Sequence, residues 1–263
     1  MNLINSIKVI SATILLVVAP AASAAATFGP DRQTYKWDQT AKGVTFNSVI
    51  NNPAVGDERS FLVARDLKNN NYSDNLKVSD NEDVVLRVYY HNDAGANKVA
   101  KRARVQVNYP VYDAKNIEIN SYILADNAKP GTVTDTTVLS ADQDFHIEYQ
   151  KGSARIWNNV LRGNTLSDDI TTQQGGALIG YDKLDGKIAG GSKYSGYVTL
   201  KFKVHFKQAA GTSPSGAATK PGTTANGGKV PNTGPGEVAG LFAAASAVGT
   251  AAHMAVTAHR KRR

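Results

Sequence analysis

The 263-residue chain contains no cysteine. That excludes disulfide staples, thiolate catalysis and cysteine-built zinc sites, so the fold has to be held by burial alone. Long amphipathic helix patterns are missing between residues 27 and 207, and so are a G-x-S-x-G elbow, a P-loop, a dinucleotide fingerprint and an HExxH pair. The chain is therefore read as a non-enzyme, with no catalytic residue, metal or cofactor assigned. A basic stripe is missing too, although the formal net charge is +8. Lys8, Arg260, Lys261, Arg262, Arg263 and Glu237 lie at the two ends. Taking those five bases and one acid from 30 and 22 leaves 25 and 21, an excess of only +4. A nearly balanced body offers no surface that tracks phosphates, and no nucleic-acid partner is expected.

The ends carry most of what is present. Lys8, the apolar run VISATILLVV (9–18) and Pro20 lead into small residues, with Ala22 and Ala24 framing an A-x-A cleavage site. An apolar core of about ten residues falls short of the roughly 20 that span a bilayer, so residues 1–24 read as a cleaved secretory signal peptide. At the other end, residues 238–258 carry no formal charge and would extend about 32 Å as a helix, close to the hydrocarbon thickness. The basic tail 259–263 follows. Positive charges stay on the cytoplasmic side, which places the rest of the chain outside the cell.

Between the ends, residues 25–207 alternate apolar and polar side chains in short runs. Runs at 43–50, 60–67, 83–90, 102–109, 116–124, 136–140, 144–150, 154–161 and 196–206 are separated by Asn, Asp, Gly and Pro. In the last of these, Val198, Leu200, Phe202, Val204 and Phe206 share one parity, and Tyr197, Thr199, Lys201, Lys203 and His205 the other. Successive strand side chains point to opposite faces, so the first set is expected in a core and the second outside. The same period places Val105, Val107, Ile117 and Ile119 inward. The expected class is all-β, an antiparallel sandwich of immunoglobulin-like or jelly-roll-like form, flanked by a signal helix and a transmembrane helix. Two smaller sandwiches split near Pro110 are the alternative. Residues 208–229 hold no aromatic, no large aliphatic and no acid, and cannot bury enough apolar surface to order themselves. They read as a flexible spacer with a mean reach of about 25 Å.

Val230, Pro231, Asn232, Thr233 and Gly234 stand between spacer and span. Signal, β domain, spacer, pentapeptide, apolar run and basic tail, in that order, resemble sortase-anchored surface proteins, whose usual motif is LPxTG. Here Val230 replaces the leucine. The resemblance implies cleavage between Thr233 and Gly234 by a membrane-bound sortase and transfer of the Thr acyl group to an amine of cell-wall peptidoglycan. The β domain also resembles repeats in uncharacterised surface proteins of Saccharibacteria and related candidate-phyla bacteria, through residues 27–37, 44–61, 88–110 and 194–204. Together these imply a non-enzymatic adhesin or coat protein, anchored at the cell surface and facing a host-surface or wall ligand. A carbohydrate-active or wall-modifying enzyme on the same anchor, or a single-pass membrane protein without sortase processing, are the alternatives.

Within the β domain, His91, Asn92 and Asp93 read first as a hairpin end, with Gly95 supplying a positive φ. Asn51, Asn52, Asp57, Glu58 and Arg59 read first as a self-supporting loop, with binding of a polar ligand as the alternative. Acidic runs at 79–83, 141–144 and 182–187 lack the calcium-loop spacing, and His91, His146 and His205 are far apart in sequence. Trp37, Trp157, Tyr89, Tyr90, Tyr194 and Tyr197 are candidates for sugar stacking, though strand aromatics more often serve as core or cross-strand partners. No ligand-binding residue is assigned.

Overall fold

β-branched and aromatic side chains in period-two alternation favour a pleated, half-buried backbone, and the chain follows that pattern. The computed structural model describes residues 27–172 and 175–208. Within them the protein is all-β and mostly antiparallel, with two short 3-10 helices at Asp168–Thr171 and Ser192–Tyr194. The strands are β1 (Phe28–Gly29), β2 (Leu62–Asp66), β3 (Asn75–Lys77), β4 (Asp83–Tyr90), β5 (Val99–Ala100), β6 (Arg104–Asn108) and β7 (Ala114–Leu124). They continue with β8 (Thr132–Tyr149), β9 (Arg155–Asn158), β10 (Arg162–Thr165), β11 (Ala177–Leu178), β12 (Ile188–Ala189) and β13 (Gly196–Phe206).

The 18-residue β8 organises the rest. Its first half pairs with β7 on one edge and with β1 and the parallel β3 on the other; β7 continues to β6 and β11. Its second half, from Phe145 to Tyr149, pairs with β13. That strand also pairs with β4 along Gly196–Lys203 and with β9 along Gly196–Thr199, and β2 and β10 extend this second group. Odd-numbered residues of β8 face inward in both halves: Val133 and Leu139 in the first, Phe145, Ile147 and Tyr149 in the second. Val198, Leu200, Phe202 and Val204 of β13 are buried, as are Val105, Val107, Ile117 and Ile119. Apolar residues from both strand groups join one core cluster.

Three boundaries differ from the sequence reading. The runs at 136–140 and 144–150 are one strand, because Ala141–Asp144 stays extended, with Lys77 paired to Asp142 at 2.8 Å. The run at 43–50 is no strand: only isolated bridges at Phe46 and Val49 remain. Asn47 sits at φ 48°, which interrupts any extended run, and its side chain takes the place of a ladder. Its Nδ2 donates to the Tyr89 carbonyl (2.9 Å) and its Oδ1 accepts from the His91 amide (2.8 Å). The run at 154–161 shortens to β9, ended by Asn158, whose Oδ1 accepts from the amides of Val160 and Leu161. Pro110 lies in the connection between β6 and β7, which pair with each other, so the chain does not divide there. Among the described residues no helix is long and apolar enough to cross a membrane; the expected signal helix 1–24 and span 238–258 lie outside them.

Candidate functional site

Two polar stretches remote in sequence meet where β4 ends. The segment 45–49 is pinned to residues 89–93 by Asn47 N to His91 O (3.0 Å), Asp93 N to Thr45 O (3.0 Å) and the Asn47 side chain. This brings Glu58, His91 and Asp93 together, with 0 %, 4 % and 3 % of their surfaces exposed. His91 Nδ1 lies 3.0 Å from Glu58 Oε1, 3.1 Å from Oε2 and 3.0 Å from Asp93 Oδ1. Second contacts hold each carboxylate in place. Asn52 Nδ2 donates to Glu58 Oε1 at 2.6 Å, and the Ser48 amide donates to Asp93 Oδ2 at 2.6 Å. Asp93 Oδ1 and His91 Nε2 are both buried without a hydrogen-bond partner, the Nδ1 contact to Oδ1 being short but not a hydrogen bond.

The electrostatics follow from burial and these neighbours. Burial opposes a charged imidazole, but the two carboxylates outweigh it and push His91 up to about 9. Burial also raises Glu58 above the ordinary carboxylate range, against the pull of His91. Trp37, Gln39, Thr40, Gly191 and Ser192 join His91 and Asp93 around a cavity of about 220 Å³. The Trp37 ring, 40 % exposed, lies 6.1 Å from the imidazole, and Asn51 Oδ1 accepts from the Trp37 amide at 2.7 Å.

A second feature crosses the outer face of the second strand group. The register sets Tyr197 beside Trp157 on β9 and Tyr89 on β4, of which Tyr89 is partly buried, with its hydroxyl accepting from Asn52 Nδ2. Trp157 and Tyr197 stack at 6.1 Å with a 15° interplanar angle, and Tyr197 is 38 % exposed. Trp157 lies over Gly163, where φ is 90° and a Cβ would press on the indole at 3.0 Å. Tyr90, of the opposite parity, is fully buried, with its hydroxyl accepting from Asn158 Nδ2. Tyr194 packs edge-on against Tyr181 at 4.8 Å.

The remaining candidates are structural. Asn92 donates to the carbonyls of Lys98 and Ile188, and Asp57 pairs with Arg59 at 2.6 Å. Gly95 does not adopt a positive φ; the turn closes through Lys98 N to Gly95 O. His146 and His205 are cross-strand neighbours stacked at 5.2 Å, away from His91's cluster. Among the described residues the acidic runs 79–83, 141–144 and 182–187 build no group of metal-ligating side chains; Glu58, His91 and Asp93 do. Ala22, Ala24 and Val230, Pro231, Asn232, Thr233 and Gly234 lie outside the described residues. Sequence spacing missed the convergence, since Glu58 and His91 are 33 residues apart and each sits among residues suited to turns. Compared with protein-family models, curated proteins and solved structures, the chain matches none.

Proposed function

We infer that this is a non-enzymatic cell-surface protein that a sortase attaches to cell-wall peptidoglycan, with residues 25–207 as the displayed domain. The observation that carries the reading is the order of segments. β13 ends at Phe206, directly before the spacer 208–229, which leads to VPNTG, the apolar span and the basic tail. A folded body that closes where a tether begins suits presentation at a distance from the wall. The two strand groups, each giving one apolar face to a shared core, support a two-layer sandwich for that body. The stacked Trp157–Tyr197 pair supports a ligand-binding face, because aromatic rings on a sheet can stack on apolar sugar faces. In its own host, Thr233→Ala is expected to move the protein from the wall fraction to the membrane fraction. Unchanged wall recovery would contradict the anchoring reading.

One observation favours a second reading, a carbohydrate-active enzyme on the same anchor: Glu58, His91 and Asp93 converge beside a cavity. Sugar release from wall glycans by the wild type and not by Glu58→Gln would establish it.

A further inference from the structure

We propose that Glu58, His91 and Asp93 bind one divalent transition-metal ion of the Zn²⁺ class. The inference rests on the folded domain alone and is independent of how the chain is anchored. The three side chains offer one imidazole nitrogen and two carboxylate oxygens, all within 4.8 Å of one another. Metal bonds of about 2.1 Å at right-angled to tetrahedral geometry set adjacent donors about 3.0–3.4 Å apart. Nδ1 stands 3.0 Å from an oxygen of each carboxylate, so two of the three donor spacings already match those of a metal site.

The cluster is poorly satisfied without one. A single Nδ1 proton cannot be well aligned to both carboxylates, and it leaves Asp93 Oδ1 buried and unpartnered. Three donor groups thus converge in the interior with a carboxylate oxygen left unpartnered, an unfavourable arrangement in a medium of low polarity. A divalent cation would accept a lone pair from all three groups at once. The supporting contacts have the character of an outer shell. Asn52 fixes Glu58, the Ser48 amide fixes Asp93, and the His91 backbone is fixed by Asn47. The Trp37 cavity, lined in part by His91 and Asp93, gives the ion a way in. Calcium fits poorly, since it takes six to eight oxygen ligands and here one of three donors is nitrogen.

The test uses the full-length chain without a histidine tag, purified in detergent, stripped with chelator and titrated separately with Zn²⁺ and Ca²⁺. Saturable uptake of about one Zn²⁺ per chain is expected, with a raised melting temperature and no comparable response to Ca²⁺. Asp93→Asn keeps an acceptor for the Ser48 amide and is expected to fold, checked by its β-type circular dichroism, while losing stoichiometric Zn²⁺. Asn52→Ala, which removes a support rather than a ligand, is expected to weaken binding about 10- to 100-fold. The double variant His146→Gln/His205→Gln is expected to bind as the wild type does. Wild-type protein without 1:1 uptake would overturn the proposal, whatever the variants do. So would undiminished uptake by Asp93→Asn, or loss of uptake in the double variant, which would place the ion on the surface histidine pair.

Discussion

Asp135 stands on the inward face of β8, opposite Ser121 of β7, where its neighbours in parity are Val133, Thr137 and Leu139. Two backbone amides justify its presence: Leu62 N donates to Oδ2 at 2.6 Å and Thr136 N to Oδ1 at 2.8 Å, so it ties β2 to β8. Burial nevertheless dominates those bonds and pushes the carboxyl up to about 7. In the unfolded chain the same group titrates near 4. Between about pH 4 and 7 the folded state therefore holds a proton that the unfolded state has released. The contribution is fully present below pH 4 and is lost as pH rises to 7, with a slope of up to about 1.4 kcal/mol per pH unit. Asp135→Asn removes the titration and leaves one amide facing an NH₂ group, at a cost of about 1–3 kcal/mol. Denaturant unfolding of both proteins at pH 5 and pH 8 is expected to show the larger stability difference at pH 5; equal differences would contradict the assignment. The Glu58–His91–Asp93 cluster belongs to the same scale. Its members stand in the sequence as two polar stretches that read first as turns, because a spacing of 33 positions carries no periodic signal and the meeting depends on Asn47 docking one loop on the end of β4.

At the scale of the element, legibility followed periodicity. The alternation in GYVTLKFKVHF matches β13 from Tyr197 to His205, and DVVLRVYY matches β4 except at Val85, which is buried although it shares the parity of Arg87 and Tyr89. β8 was harder to read. Buried polar residues at 135–137 and the acidic stretch 141–144 look like punctuation, yet each is accommodated by contacts from distant segments, Leu62 and Asp74 for the first, Lys77 for the second. The 43–50 run differs in the opposite direction: Val44, Phe46 and Val49 are buried, but the positive φ at Asn47 interrupts a continuous strand. Topology also ranks the strands by stability. β13 is paired along both edges by β4, β9 and β8, whereas β5 and β12 pair with each other over two residues and β10 has β9 as its one ladder partner. Native-state hydrogen exchange is expected to find the slowest amides in β13 and its partner segment of β4, and fast exchange in β10 and β12. Amides of β13 exchanging as fast as those of β12 would contradict this topology.

At the scale of the whole molecule, the chain separates into segments with different physical tasks. Residues 25–207 hold the apolar alternation, and one core cluster joins both strand groups without help from disulfides. The spacer and the sorting segment have the composition of a tether and a membrane stop, and their reading rests on sequence order. Half of the formal net charge of +8 lies in the two ends, which leaves the body between them nearly balanced and with little long-range electrostatic steering. The central claim is covalent attachment at Thr233. Its most direct test is enzymatic digestion of the cell wall followed by mass spectrometry of the released protein. The account predicts a chain ending at Thr233 and bonded to a peptidoglycan fragment; recovery of residues 234–263 on the same chain would contradict it.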